Sequence, residues 1–189
     1  MTKSIILVGV GGQGTITTSS ILAKGLIEDG YDVKMSEIHG MSQRGGTVVT
    51  QIKYGEKVYS PIIGEGEADL IVSFEKVEAV RALPYLKEGG TIVTDTREIF
   101  PMPVLTGAAS YPSDAIDRLK ESVPNVVVIN AAETAEKLGN VKAQNIVLLG
   151  ALVKQLGLMS IDWKKIIKET VPARFAELNV KAFDAGCTM

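Results

Sequence analysis

The stretch that decides the fold is Ser4-Ile5-Ile6-Leu7-Val8 followed at once by Gly9-Val10-Gly11-Gly12-Gln13-Gly14. The first run is short, unbroken and β-branched, which is typical of a strand buried on both faces of a parallel sheet. The glycines that follow match G-x-G-x-x-G, a pattern of tight turns that lead into a helix. We predict that helix over residues 12–29, ended by Gly30.

The rest of the chain repeats this alternation. Further strands are predicted at 31–37, 68–74, 91–94 and 126–129, with helices at 75–83 and 113–122, a loop or excursion at 96–111 and a mostly helical C-terminal third. The predicted strand 47–54 alternates polar and apolar residues, and Gly55-Glu56-Lys57 predicts a turn into an antiparallel partner containing Val58 and Tyr59. The fold class is therefore α/β, a three-layer Rossmann-like and mostly parallel sheet with an antiparallel hairpin. Without repeats or linkers, one domain over 1–189 is expected.

Composition excludes several classes of protein. The 189 residues carry 20 Lys plus Arg against 22 Asp plus Glu, a formal charge of -2, so no nucleic-acid partner is expected. The longest apolar run, 146–153, is far shorter than the roughly 20 residues that cross a bilayer, so we expect no membrane partner and a cytoplasmic location. One cysteine, Cys187, and one histidine, His39, cannot alone hold an iron–sulfur cluster or a structural zinc, and no metal site is predicted.

The first glycine-rich turn is the first candidate binding site. Glycines such as Gly11 and Gly14 allow positive φ angles and close approach of the backbone, and the helix that follows favours an anionic phosphate at its N-terminus. The candidate residues are Gly11, Gly12, Gln13, Gly14 and Thr15. Glu37, 23 residues after Gly14, lies near the position where an acidic residue holds a ribose hydroxyl in dinucleotide sites. An NAD(P) site and a purely structural turn are both alternatives.

A second glycine-rich loop, His39-Gly40-Met41-Ser42-Gln43-Arg44-Gly45-Gly46, is the more unusual feature. Arg44 offers a planar fork of donors for phosphate or carboxylate, and its neighbours add hydroxyl, amide and accessible backbone groups. The candidates here are Ser42, Gln43, Arg44, Gly45 and Gly46. The alternative is a solvated turn in which Arg44 pairs with Glu37. His39 either moves protons or is a hydrogen-bonded loop histidine.

Polar residues also follow the predicted strands. Ligands of open α/β sheets bind beyond the carboxyl ends of the strands, so these side chains are expected to converge on the glycine loops. They are Ser73, Glu75, Thr94, Asp95 and Asn130. Each could instead cap a helix, and capping is the favoured interpretation of Asn130, which precedes Glu133 by three residues. For Glu75 the alternative to a cap is a carboxylate that orients a partner's cofactor or residue.

The sequence shows no complete set of catalytic residues. It contains neither a G-x-S-x-G elbow nor a G-x-x-x-x-G-K-[ST] loop, and the lone Cys and lone His are far apart. No catalytic residue is predicted in this chain.

Four segments together resemble one family: residues 9–14, 37–46, 74–79 and Tyr111-Pro112. The family is the gamma-type component of the 2-oxoacid:ferredoxin oxidoreductases, within it the indolepyruvate branch. The resemblance implies a subunit, with thiamine diphosphate and [4Fe–4S] clusters on a partner alpha subunit that passes electrons to ferredoxin. It implies oxidative decarboxylation of an aryl 2-oxoacid such as indolepyruvate, with coenzyme A (CoA) as co-substrate, to acyl-CoA, CO2 and reduced ferredoxin. The isolated chain is expected to be inactive, as a monomer or a homodimer.

The resemblance also implies two roles for the glycine loops. The amides of residues 11–14 and the fork of Arg44 suit the phosphates of CoA, and the same loops could instead dock the thiamine-binding subunit. Two other functions stay open from the residues alone: an independent NAD-dependent oxidoreductase, and a nucleotide-binding scaffold without a catalytic partner.

Overall fold

The computed structural model describes residues 2–40 and 45–189. Within these ranges the strands form a six-stranded sheet in the order β2-β3-β1-β4-β5-β6. The strands are β1 Lys3–Val10, β2 Asp32–His39, β3 Thr47–Gly55, β4 Ala68–Ser73, β5 Leu86–Asp95 and β6 Val126–Ile129. Neighbours from β1 through β4 and β5 to β6 pair in parallel, whereas β3 is antiparallel to both β1 and β2. The predicted mostly parallel sheet with an antiparallel hairpin is confirmed.

The partner predicted for β3 is wrong. Val58 and Tyr59 form no strand, and β3 pairs instead with β2, where Ile38 faces Val49, and with β1, where Val8 faces the same residue. The Val58 amide donates to Oδ2 of Asp32 at 2.9 Å, so this segment folds back on the start of β2. β3 therefore forms its hairpin with β2, the strand before it in the chain, and not with the segment after it. In dinucleotide-binding folds β2 lies next to β1, whereas here β3 separates them.

Helices cover both faces of the sheet. They are α1 Thr15–Glu28, α2 Lys76–Ala82, α3 Met102–Leu105, α4 Ala115–Ser122, α5 Ala131–Lys137, α6 Gln144–Leu156, α7 Trp163–Thr170 and α8 Ala176–Cys187. Short 3-10 turns occupy Leu83–Tyr85, Val141–Ala143 and Ala173–Phe175. The predicted irregular stretch 96–111 contains only the single turn of α3.

The sequence of β1 explains the three layers. Ile5 and Leu7 pack into one core cluster with residues of α1, α6, α7 and α8, whereas Ile6 and Val8 pack into the other with residues of α2 and α4. Successive side chains of a strand point to opposite faces, so an unbroken apolar run supplies both cores. This is the arrangement expected from that run.

The long apolar helix α6 lies deep in the first core. Its residues from Gln144 to Val153 are all buried. It crosses α8 at closest approach: a Cβ on Gly150 would lie 2.3 Å from the Phe183 carbonyl oxygen, and a Cβ on Gly186 would lie 2.0 Å from that of Val147. Both positions therefore require glycine for packing.

No helix within the described ranges has the length and the apolar character needed to cross a membrane.

Candidate functional site

The first glycine-rich turn links the end of β1 to the start of α1. Here we call residues 11–15 the glycine turn. Gly12 has a φ of +102° and Gly14 a φ of +83°, a left-handed region that favours glycine, whereas Gly11 has no positive φ. The expected need for such a backbone therefore holds for Gly14 and not for Gly11. Amides in the first turn of α1 have no acceptor within the helix and can face an anion.

The side chain of Gln13 belongs to the turn itself. Its Oε1 accepts from the Val10 amide at 2.7 Å, and its Nε2 donates to the Phe74 carbonyl at 2.7 Å. A Cβ on Gly9 would lie 2.9 Å from Oε1 of Gln13 and 2.9 Å from Cβ of Phe74. The side chain thus joins the ends of β1 and β4, and its role as a ligand contact stays a prediction.

The two glycine loops meet, as the sequence suggested. The Gly11 amide donates to the Gly46 carbonyl at 2.8 Å. Gly45 has a φ of +76°. Ser42, Gln43 and Arg44 lie outside the described residues, so their assignment to the site stays a prediction.

Two cavities adjoin the glycine turn. One, of about 460 Å³, is lined by Gly11, Gly12, Gly14, Thr15, Ile16, Thr17, Glu37, His39 and Val48. The other, of about 500 Å³, we call the basic cavity, lined by Gly11, Gly12, Gln13, Gly14, Thr17, Arg97, Ile99, Val141, Lys142, Gln144 and Asn145. The structure therefore places Glu37 and His39 beside the turn. The exposed His39 ring places Nδ1 3.0 Å from the Gly40 carbonyl oxygen, as in the alternative of a hydrogen-bonded loop histidine.

Arg97 and Lys142 are residues that the sequence interpretation missed. Arg97 is half-buried and donates from Nη1 to Oε1 of Gln144, and Lys142 is exposed. Nε2 of Gln144 in turn donates to the Phe74 carbonyl at 2.9 Å and to Oδ2 of Asp95 at 2.7 Å. The position of Arg97 two residues after Asp95, at a strand end, was the one available signal. Both cations give the basic cavity a positive wall.

Asp95 caps α5, a role predicted for Asn130. The buried carboxylate accepts from the amides of Ala131 at 3.0 Å and Ala132 at 3.1 Å. Burial raises the pKa of Asp95, and these amides act in the opposite direction. Asn130 stands at the N-cap position, but its Oδ1 accepts from the Thr96 hydroxyl at 2.9 Å. Asn130 lines neither of the two cavities beside the glycine turn, and its place in the site stays a prediction.

Glu75 both caps a helix and holds a distant segment. Its Oε2 accepts from the amides of Val77 at 2.8 Å and Glu78 at 3.0 Å at the start of α2. Its Oε1 accepts from the Ile99 amide at 3.4 Å and from the Tyr111 hydroxyl. Glu75 therefore caps α2, as the capping alternative predicted, and it also bonds Ile99 and Tyr111, which that alternative did not include.

Residues 96–113, which we call the strap, arch over a third cavity of about 820 Å³. The walls are mostly apolar, with Glu75, Glu78, Arg81 and Tyr111 as polar groups among Val10, Gly45, Thr47, Val77, Ile99, Phe100, Pro101, Met102, Pro103, Val104, Leu105, Ala109, Ser110 and Pro112. Burial raises the pKa of the Tyr111 hydroxyl, and its bond to Glu75 acts in the same direction. Burial also raises the pKa of Glu78, against the effect of Arg81, whose Nη1 lies 2.7 Å from Oε1 of Glu78.

The glycine turn, with the start of α1 beside it, can bind an anion.

Within residues 2–40 and 45–189, no group of three or more His, Cys, Asp or Glu side chains is placed to hold a metal ion. Cys187 lies on α8, where burial raises the pKa of its thiol. The glycine turn, its basic cavity and the strap are thus the features from which function is argued.

Comparison with known proteins adds an independent line of evidence. Residues 4–189 match the family model described as pyruvate ferredoxin/flavodoxin oxidoreductase. Indolepyruvate oxidoreductase subunit IorB of Pyrococcus horikoshii is 42% identical over 188 residues, which cover 97% of this chain and 93% of that protein.

Solved structures share the fold. The gamma subunit of a keto/oxoacid ferredoxin oxidoreductase from Geobacter sulfurreducens superposes with a TM-score of 0.70 at 26% identity, covering 97% of this chain and 95% of that one. A 2-oxoglutarate:ferredoxin oxidoreductase from Magnetococcus marinus, described with 2-oxoglutarate, coenzyme A and succinyl-CoA bound, gives 0.70 at 19% identity, over 99% of this chain and 30% of that one. At that identity the second likeness concerns the fold alone.

Proposed function

Because this chain belongs to the pyruvate ferredoxin/flavodoxin oxidoreductase family, we propose that it is the small subunit of an indolepyruvate ferredoxin oxidoreductase. The complex releases the carboxylate of an aryl 2-oxoacid as CO2, transfers the acyl group to the sulfur of CoA and passes the electrons to ferredoxin. This chain has a single cysteine, so we assign the [4Fe–4S] clusters and the thiamine diphosphate to the partner alpha subunit. There, thiamine diphosphate would supply a carbanion able to attack the keto carbon.

The role that we propose for this chain is to hold the phosphates of CoA. The observation that carries it is the basic cavity, where the start of α1 and the cations of Arg97 and Lys142 adjoin the same space. Backbone amides at a helix start and an arginine fork both favour phosphate oxygens. Lys142 is exposed and adds a point charge at the rim. These groups bind and orient CoA, and the thiol reacts on the partner subunit.

Docking of the partner subunit is the second candidate role for this edge of the sheet. Large apolar side chains are exposed near the glycine loops: Ile16 on α1, and Phe100, Met102 and Leu105 on the strap. Exposed apolar patches of this kind often mark protein interfaces. Phosphate binding and docking can coexist, and each gives a different readout.

We expect Arg97→Ala to raise the KM for CoA in the assembled complex by roughly 10- to 150-fold, because a charge-assisted hydrogen bond contributes about 1.5 to 3 kcal/mol. Lys142→Ala should act in the same direction and less strongly, because solvent screens its exposed charge. Steady-state kinetics at varied CoA measures both effects. Arg118→Ala is the matched control, since Arg118 is exposed on α4 and lines none of the three cavities.

Size-exclusion chromatography of the same complexes separates the two roles. An unchanged KM for CoA with weaker assembly would assign this edge to docking. No change in either quantity would leave Arg97 as the hydrogen-bond partner of Gln144 alone and would contradict the phosphate site.

A further inference from the structure

Three consecutive residues that follow β4 hold both sides of the basic cavity. We propose that Glu75 is a positioning residue that ties the strap to α2 and thereby places Arg97 beside the glycine turn. This inference rests on the proposed binding of CoA at that turn. Glu75 does not touch CoA in this proposal and affects its binding only through the position of Arg97.

We call Phe74, Glu75 and Lys76 the junction. Its first contacts reach the glycine turn. The Phe74 carbonyl accepts from Nε2 of Gln13, within the turn, and from Nε2 of Gln144, at the start of α6. Gln144 is also the acceptor for the Arg97 guanidinium. The Phe74 carbonyl, directly after β4, therefore bonds the glycine turn and, through Gln144, positions the Arg97 side chain across the basic cavity.

The second set of contacts holds the strap near both of its ends. The Lys76 amide donates to the Arg97 carbonyl at 3.2 Å, and Oε1 of Glu75 accepts from the Ile99 amide at 3.4 Å. At the far end, the Tyr111 hydroxyl donates to the same carboxylate oxygen. Nζ of Lys76 contacts Glu98, donates to the Ser113 carbonyl at 3.1 Å and lies 5.2 Å from the centre of the Tyr111 ring.

The side chains of Glu75 and Lys76 both bond the two ends of the strap, and Glu75 also caps α2. Glu75 is only 1% exposed, so water does not replace a lost partner easily. Arg97 is two residues from Ile99, and a strap that loosens at Ile99 and Tyr111 removes support on one side of Arg97, whose carbonyl still accepts from the Lys76 amide. We therefore expect weaker binding of CoA without a change in the reacting groups, which lie on the partner subunit.

Two conservative substitutions separate the tether from the helix cap. Glu75→Asp keeps a carboxylate suited to capping α2 but is one methylene shorter, so it cannot hold the cap and reach Tyr111 together. Tyr111→Phe removes only the hydroxyl and leaves the cap and the ring contact with Phe100, at 4.9 Å between ring centres. Tyr59→Phe is the control, because Tyr59 is 89% exposed.

The experiment uses the complex of this chain with its partner subunit and varies CoA. Both variants are expected to raise the KM for CoA by roughly 5- to 10-fold while kcat at saturating CoA stays within about two-fold of wild type. The double variant should show no more than the larger single effect, because both changes break one tether. Hydrogen exchange of the Ile99 amide should become faster in both variants and stay unchanged in Tyr59→Phe.

Two results would overturn the proposal. One is an unchanged KM for CoA in Glu75→Asp and Tyr111→Phe when Arg97→Ala raises it, since phosphate binding would then stand without the tether. The other is a fall in kcat with no change in KM. If Arg97→Ala also leaves the KM for CoA unchanged, the proposed binding of CoA at the glycine turn has failed, and the tether fails with it.

Discussion

A Gly12→Ala substitution is expected to raise the KM for CoA by roughly 100-fold, because a misplacement of about 1 Å at a binding site can have an effect of that size. Gly12 lines both cavities beside the glycine turn, and a Cβ built on it has no heavy atom of residues 2–40 and 45–189 within 4 Å. The added methyl group therefore meets none of the described atoms and projects beside the proposed phosphate site. Steady-state kinetics of the assembled complex measures the effect.

Gly30→Ala provides the matched control for this variant. Gly30 follows the other end of α1, has a φ of +91° against +102° for Gly12, and is equally open. Both substitutions should lower the free energy of unfolding by about 1 to 2 kcal/mol through left-handed backbone strain. Thermal melts and kinetics on the same preparations then separate strain from function. Equal KM values for the two variants would make the glycine turn a structural feature only.

Gly150→Val is expected to lower the free energy of unfolding by about 3 kcal/mol or more, the upper range for overpacking a core. The atoms in the way are backbone: the Phe183 carbonyl oxygen at 2.3 Å and the Cys187 amide nitrogen at 2.9 Å from the added Cβ. They cannot rotate aside, so α8 must move away from α6. For a chain of this length the melting temperature should fall by about 6 to 12 °C.

The control for this prediction is Gly40→Val. Gly40 has no positive φ, and its added Cβ would meet no atom of the residues that the structure describes, so the melting temperature of Gly40→Val should stay close to that of wild type. Equal melting temperatures for Gly150→Val and Gly40→Val would show that α6 and α8 are not packed at closest approach.

Much of the fold follows from local patterns in the sequence. The unbroken apolar run of β1 predicts a strand buried on both faces, and the glycines after it predict the turn into α1. The position of β3 could not be predicted in this way, because its partners β1 and β2 are set by long-range pairing, whereas Gly55-Glu56-Lys57 gives only a local turn signal. Long-range strand pairing therefore overrode the local turn signal.

The candidate site was predicted less completely than the fold. Glu37, His39 and Gly46 reach the glycine turn from the segments that the sequence singled out. Arg97 and Lys142 were missed because each is a single cation in an irregular segment or a short 3-10 turn, with no spacing that distinguishes it from a surface charge. The bond between Glu75 and Tyr111 joins two of the segments that carry the family resemblance, yet only the folded strap brings them together.

We propose that this chain completes an arylpyruvate oxidoreductase whose redox cofactors lie on a partner subunit. The most direct measurement is indolepyruvate-dependent and CoA-dependent reduction of ferredoxin by the purified chain, by its partner subunit and by the two combined. We predict no turnover by this chain alone and full turnover by the combined subunits. Turnover by the isolated chain, or none by a complex that has assembled with its cofactors, would contradict the claim.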